Sequence, residues 1–557
     1  MTNKEIVKSL HLVASLMELH GENEFKIKAY TNAAIAIDRF GESLADKSST
    51  DIARISGIGA TIANYIQVLI NTSTSTLLDE LLQKTPDGVV QILAIKGLGA
   101  KKVKMLWQDL GIESLGELLY ACNENRLLSL KGFGEKTQEN IRQTVNYLLA
   151  NANKYRRVQV EEVGEQVMQK ISQSSAIERV VYTGAMRRAC EIIERVELLV
   201  VGNASSAVEN ACLGAQLTIQ EVLSNCFICV HADGFPFVVH WCFSNEFAFR
   251  LWQTTGCQEH INLLAIGSDI VFVEQEKELY ERCNMLFVAA ELRELEHIGK
   301  SKEWFALRNM TLIEQPNLCG IIHAHSTYSD GKNSLEQMAQ ECLSLGYQYL
   351  GISDHSKAAF YANGLSVARI IEQHAEIDLL NKKMAPFRIF KGIEADILHD
   401  GSLDYDVDTL SIFDFVIASV HSGLKMNEEK AMTRLMKAIE NPYTTILGHP
   451  TGRLLLSRLG YPIHHQRIID ACADNNVVIE LNANPYRLDL DWRWIDYATK
   501  RGVKIAINPD AHSVEGIHDI RHGIMAARKG GLLVQDTFNA LNVAEVNAHF
   551  EAKRSKQ

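Results

Sequence analysis

No run of eighteen apolar residues occurs in the 557-residue chain, so no membrane-spanning helix is expected. Residues 1–21 alternate apolar and charged positions at helical spacing. They lack a long apolar stretch and a small-residue cleavage site, so no signal peptide is expected. The eleven cysteines follow no framework, which in a chain this long favours reduced thiols and a cytoplasmic setting. Cys226 and Cys229 form a C-x-x-C pair, but inside the apolar run Cys-Phe-Ile-Cys-Val, which reads as buried strand. Positive charge is also in deficit: the net charge of -12 argues at first against a nucleic-acid partner. The deficit is uneven, because residues 1–157 carry 19 basic and 17 acidic side chains, whereas residues 158–557 carry 37 and 51. The N-terminal part is therefore the less repelled by phosphate, and the acidic remainder needs cations before it approaches DNA. A hydrophobic content of 46% and a charged content of 22% describe a globular chain with ample core, and the length implies two to four domains.

What is abundant in the C-terminal half is the metal-ligand residue at the end of an apolar run. His323 and His325 open the series in His-Ala-His, followed by Asp330 and by His355 in Ser-Asp-His. Glu394, His421, His449, Asp510 and His512 complete it. Short apolar runs alternate with helical stretches, as in a β/α barrel. Residues i and i+2 on a strand share a face about 7 Å apart, so His323/His325 and Asp510/His512 each aim two ligands at one pocket. Active sites form at the carboxyl ends of barrel strands. A His/Asp/Glu set without thiolates suits Zn²⁺, Mn²⁺ or Fe²⁺, and nine ligands suit two or three ions. The series resembles the PHP (polymerase and histidinol phosphatase) family, from about Cys319 onward. The resemblance implies a distorted β/α barrel with a trinuclear centre that cleaves phosphoesters. It implies one metal on His323, His325, Glu394 and Asp510, a second on Asp330, His355 and His449, and a third on Glu394, His421 and His512. Arg453, just after Gly-His-Pro-Thr-Gly, is placed to hold a substrate phosphate. Asp354, Asp396 and Asp404 are candidates to hydrogen-bond the ligand histidines.

The N-terminal third repeats a different pattern. Ile55-Ser-Gly-Ile-Gly59, Ile95-Lys-Gly-Leu-Gly99 and Leu130-Lys-Gly-Phe-Gly134 each separate two helical stretches. Gly57, Gly59, Gly97, Gly99, Gly132 and Gly134 allow backbone N–H groups to approach a phosphate at a helix start. Lys101, Lys102 and Lys136 follow two of these turns and add charge. The segments resemble helix-hairpin-helix motifs, which grip DNA backbone without reading sequence. Asn23-Glu-Phe-Lys-Ile-Lys-Ala-Tyr30 resembles the amino-terminal domain of family X DNA polymerases. The Schiff-base lysine of its lyase-active members falls at Tyr65 here, which removes the basis for lyase chemistry.

In the middle, Thr183-Gly-Ala-Met-Arg-Arg188 resembles the segment that opens a nucleotidyltransferase palm. Arg187 and Arg188 are phosphate-binding candidates. The strand that follows carries Arg195 and Glu197 where the family has two aspartates, and the third aspartate falls near Val238. Residues 255–260 and 276–293 resemble the thumb. The whole chain resembles bacterial family X DNA polymerases with a C-terminal PHP domain. The expected fold is multidomain α+β and α/β. It comprises an N-terminal helical domain (1–85), a helix-hairpin-helix fingers-like domain (86–155), a degenerate palm (156–250), a thumb (251–315) and the PHP barrel (316–557). The resemblance implies a DNA-repair 3′→5′ exonuclease using two or three divalent metals, Mn or Zn with Fe as an alternative. The partner is DNA at gaps or 3′ ends, and the setting a monomer in the cytoplasm with the nucleoid. Polymerase activity is expected to be lost. The alternatives are an active polymerase with a misaligned palm, a small-molecule phosphomonoesterase of histidinol-phosphatase type, and a non-catalytic DNA-end scaffold.

Overall fold

A computed structural model describes residues 1–264, 266 and 270–554. Contacts divide the chain into two compact units, Met1–Ala152 and Asn153–Gln557. The first unit is helical. Its principal helices are Asn3–Leu19, Glu24–Asp38, Ala60–Thr72, Ala100–Leu110, Leu115–Asn123 and Glu135–Ala150. One hydrophobic core runs through it from Ile6 to Val145, across the boundary expected at residue 85. Leu10, Ile66, Leu106 and Val145 are all fully buried in that core. Burying one apolar stripe of each helix is what stabilises helices this short.

The second unit begins at Asn153 and holds the stretches expected as palm, thumb and barrel, the names palm and thumb being kept below for those stretches. The palm is a five-stranded sheet in the order Ile177–Tyr182, Val196–Gly202, Pro236–Cys242, Cys226–His231, Leu217–Val222. Its central pair, Val196–Gly202 with Pro236–Cys242, is parallel and places Glu197 beside Val238. Cys229 is buried on the Cys226–His231 strand, as its apolar setting predicts. Phe249, Trp252, Leu279, Tyr280 and Leu292 pack into a separate cluster that crosses the boundary expected between palm and thumb.

The C-terminal part is a parallel sheet of seven strands: Gly320–Ile321, Tyr349–Ile352, Arg388–Asp396, Phe415–Ser419, Ile446–Leu447, Val478–Asn482 and Ile505–Asn508. Each strand lies beside its neighbour in sequence. A parallel bridge between Ala324 and Ala511 joins the two edges just beyond the first and last strands and nearly closes a barrel. Helices including Leu335–Ser344, Val367–Lys383, Glu428–Ile439 and Ile520–Lys529 connect the strands. The continuous apolar strand sequences follow from burial on both faces. A smaller core comprises Tyr349, Phe390, Phe415, Ile446 and Val478 with Phe538 and Phe550 from the C-terminal segment. A Cβ at Gly392 would stand 2.1 Å from the Phe415 ring, so only glycine leaves room for that side chain. The expected α+β and α/β architecture with a distorted β/α barrel is therefore present.

Candidate functional site

All nine predicted ligands project from the carboxyl ends of the barrel strands or the loops that follow them. Glu394, fully enclosed, is the hub. Its Oε1 lies 3.1 Å from Nε2 of both His421 and His449. The same atom is 3.5 Å from His323 Nε2, and its Oε2 is 2.9 Å from His355 Nδ1. Three sets of donor atoms each fall within 4.8 Å of one another: His325/Asp330/His355/His512, His323/His325/Asp510 and His355/Glu394/His421. His325 thus stands between two sets and His355 between two.

Two histidines exchange places relative to the grouping expected from the family. His512 stands with Asp330, at 3.4 Å, and its ring stacks on His325 at 4.1 Å. His449 stands instead with Glu394 and His421. The cause is barrel closure. The Ala324–Ala511 bridge carries His512 beside the first strand, whereas His449 leaves the fifth strand, one strand away from His421.

The far side of several rings is fixed by hydrogen bonding. His323 Nδ1 pairs with Glu480 Oε2 at 2.6 Å, His421 Nδ1 with Asp396 Oδ1 at 2.7 Å, and His512 Nδ1 with the carbonyl two residues back, Asp510 O, at 2.9 Å. Each pairing turns Nε2 toward the pocket, the usual way a ligand imidazole is oriented. Glu480 escaped the sequence reading. Its only signal was a charged residue inside the apolar strand Val-Ile-Glu-Leu-Asn. It also accepts from the His449 backbone N–H and from Asn482 and Asn508. Asp396 contacts a ligand histidine as expected. Asp354 and Asp404 do not. Asp354 accepts from Ser326 and Ser329 and from Gln373, fixing the turn that carries Asp330. Asp404 accepts from the Ala358 N–H at 2.8 Å and anchors the loop after His355.

The pocket is poised for cations. His323 Nε2, His325 Nδ1, His355 Nδ1, Glu394 Oε2 and His449 Nδ1 are buried and make no hydrogen bond of normal geometry, even where His355 Nδ1 and Glu394 Oε2 lie close together. Burial would raise the Glu394 carboxyl pKa, but His421, His323 and His355 outweigh it and hold it well below the usual range. Burial disfavours the charged form of His421 too, yet Glu394 and Asp396 push its pKa up to about 10. His512 is pushed up to about 9, against burial, by Asp330 and Asp510. Burial, with His355 and His512 adding to it, takes His325 down to about 3. The carboxylates thus favour the protonated, positively charged form of His421 and His512, and N and O donors of this kind fit divalent metals.

Arg453, expected to meet a substrate phosphate, is turned inward. Its guanidinium donates to Asp491, to Arg487 O and to Leu488 O, and so ties down the 487–491 segment. Arg187 and Arg188 are similarly engaged, with Glu276 and Glu294 respectively.

On the palm face, the Glu197 carboxylate lies 3.4 Å from His240 Nε2 and 3.7 Å from Arg195 Nε. It also fills the space beside Gly184, where a Cβ would stand 2.4 Å from it. Among the described residues, no cluster of three metal-ligand side chains lies in the palm.

The three hairpins share one geometry. Ile58 N–H donates to Ile55 O at 3.0 Å, Leu98 to Ile95 O at 3.0 Å, and Phe133 to Leu130 O at 3.2 Å. Gly57, Gly97 and Gly132 have φ of 94°, 95° and 89°, the left-handed position that such a turn reserves for glycine. Gly59, Gly99 and Gly134 cap the next helices, and a Cβ added at any of them would meet nothing within 4 Å. The middle residues Ile58, Leu98 and Phe133 are buried, so the turns are anchored while Gly59, Gly99 and Gly134 face open space. Lys101 and Lys136 are exposed, whereas Lys102 lies over the Phe133 ring at 5.4 Å. Tyr65 is buried with its hydroxyl 3.0 Å from Ser9 Oγ.

Family models match three stretches: a helix-hairpin-helix domain over residues 1–75, a SAM-like helix-hairpin-helix tandem over 90–145, and the PHP domain over 322–484. The chain is 34% identical to the DNA polymerase/3'-5' exonuclease PolX of Bacillus subtilis (strain 168), over 98% of this chain and 99% of that one. It is 25% identical over 42% of its length to a "probable phosphatase" of Thermoanaerobacter sp. (strain X514), covering 91% of that protein. A "probable phosphatase" of Caldicellulosiruptor saccharolyticus is 28% identical over 34% of this chain and 78% of its own. Fold and site together define a hydrolase of the PHP phosphoesterase or exonuclease class, carried on helix-hairpin-helix modules. The chain belongs to the PolX family, the bacterial family X DNA polymerases with a C-terminal PHP domain.

Proposed function

We propose that the chain is a metal-dependent 3′→5′ exonuclease of DNA repair, which cuts in the barrel while the hairpins hold the DNA backbone. The observation that carries this reading is the gathering of nitrogens of His323, His355, His421 and His449 within 3.5 Å of the buried Glu394 carboxylate, in a chain that also bears three glycine hairpins. Bound Mn²⁺ or Zn²⁺, with Fe²⁺ as the alternative, would supply a Lewis acid for the phosphoryl oxygens and lower the pKa of water. His323, His325, Asp330, His355, Glu394, His421, His449, Asp510 and His512 would hold two or three such ions. Glu480 and Asp396 keep His323 and His421 aimed inward. The same reading places the protein in the cytoplasm, with the nucleoid.

Template-directed synthesis is, on this reading, lost, although the Bacillus relative is named a polymerase. Two-metal nucleotidyl transfer needs clustered carboxylates. Here Arg195 and Val238 stand at two of the three positions, and Glu197 is engaged by His240 and Arg195. A phosphatase acting on small molecules is the second reading, favoured by the relatives that match the barrel alone. Mn²⁺-loaded protein offered a 3′-labelled oligonucleotide, a sugar phosphate and a primed template separates the readings. The expected result is stepwise shortening of the oligonucleotide and no primer extension. Hydrolysis of the sugar phosphate alone would establish the second reading, and any templated incorporation would overturn the loss of synthesis.

A further inference from the structure

The loop that follows His355 exposes two adjacent aromatic side chains, Phe360 (86% exposed) and Tyr361 (64%). Exposure here does not come from slack. The Lys357 N–H donates to the Tyr405 hydroxyl at 3.1 Å and the Ala358 N–H to Asp404 at 2.8 Å. Leu365 N–H returns to His355 O at 2.8 Å, and Asn363 Nδ2 reaches Tyr328 O at 3.3 Å. Where the loop closes, a Cβ at Gly364 would stand 1.9 Å from Ser356 O, so the two backbone strands touch there. The loop is thus pinned at both ends while its apolar tip faces water, an arrangement that costs solvation and buries nothing within the chain.

The tip is at the metal pocket. The Tyr361 ring centroid lies 6.5 Å from that of His355, and Phe360 meets Tyr361 edge-on at 6.1 Å. An occupant of this tip must offer a flat apolar face and be joined to a group that enters a cluster of carboxylates and imidazoles. A nucleobase joined to its phosphodiester meets both requirements.

We propose that Phe360 and Tyr361 form a base-stacking lip on which the 3′-terminal nucleobase rests while its phosphodiester enters the pocket. This rests on the DNA-end reading above and adds residues that bind the base. Stacking on an aromatic side chain tolerates any base, because each has a π-face, and is worth a factor of about ten in affinity per base. A lip of this kind positions a 3′ end without selecting a sequence.

The test compares two oligonucleotides, one ending in thymidine and one ending in a tetrahydrofuran abasic residue, with the Mn²⁺-loaded full-length protein. The expected result is a kcat/KM about tenfold higher for the thymidine end, carried by KM. In Phe360→Ala/Tyr361→Ala that ratio falls to near one, and in Phe360→Trp/Tyr361→Phe it is kept. A correctly folded double-alanine protein, judged by its melting temperature, that retains the ratio overturns the proposal. So does one that loses rate equally on both ends. A second readout needs no cutting: a 3′-terminal 2-aminopurine, bound in EDTA, should be quenched by the natural chain and not by the double-alanine variant. Absence of quenching in the natural chain counts against the lip. Quenching without any cleavage upholds the lip while removing the exonuclease reading.

Discussion

Glu480 illustrates what one buried residue contributes. It makes no approach to the pocket, yet it sets which nitrogen of His323 faces inward. Glu480→Gln should weaken metal affinity by about 10- to 100-fold while the protein stays folded, as read by metal titration and circular dichroism. Metal binding should also release protons, because cations must displace those held on His421 and His512. Their pKa values stand at about 10 and about 9, so affinity should climb as pH rises toward that range. Calorimetry in buffers of differing ionisation enthalpy measures the release; a binding heat independent of buffer contradicts it. For the metal-free chain the sign is opposite. A histidine pKa raised on folding stabilises fully below its unfolded value of 6.5 and loses that contribution as pH passes the folded value. The melting temperature of the metal-free protein should therefore fall between about pH 7 and 10 and recover on adding metal. All nine gathered side chains were legible, because most of them close an apolar run. The partition of His449 and His512 was not, since it depends on which strands meet at the seam. The inward pairing of Arg453 was not legible, because its partners, Arg487 to Asp491, lie more than thirty residues along the chain.

The hairpin is the element in which sequence and conformation correspond most directly. Its first glycine is required by the backbone and its second by what lies outside. Gly97→Ala or Gly132→Ala forces a side chain into the left-handed region and should cost about 1–2 kcal/mol, seen as a lowered melting temperature. Gly99→Ser and Gly134→Ser should leave stability unchanged or slightly raised, because serine is a good helix N-cap. Their added atoms enter the open space over the turn and should weaken DNA binding several-fold at fixed salt. Equal loss of stability in both pairs would remove the distinction. The spacing of the glycines revealed the three turns, but not that the flanking helices share one core across residue 85. That sharing arises from contacts such as those between the Asn3–Leu19 and Ala100–Leu110 helices, which local patterning does not encode.

At the scale of the whole chain, binding and cutting are assigned to different units, so they should separate. Glu394→Ala should abolish cleavage and leave DNA affinity within about twofold, measured by fluorescence anisotropy alongside a nuclease assay. Affinity should fall steeply with ionic strength through counterion release and depend little on sequence. An affinity indifferent to salt would exclude a backbone grip. The near-closure of the barrel has a consequence for synthesis of the protein. His325 N–H donates to Ala511 O at 2.8 Å, so the first ligand pair stands against the last, almost 190 positions later in the chain. Until the ribosome has released residue 512, the earlier histidines have no seam to close and no Asp510 beside them. A prematurely terminated chain keeps its helix-hairpin-helix unit but lacks the complete ligand set.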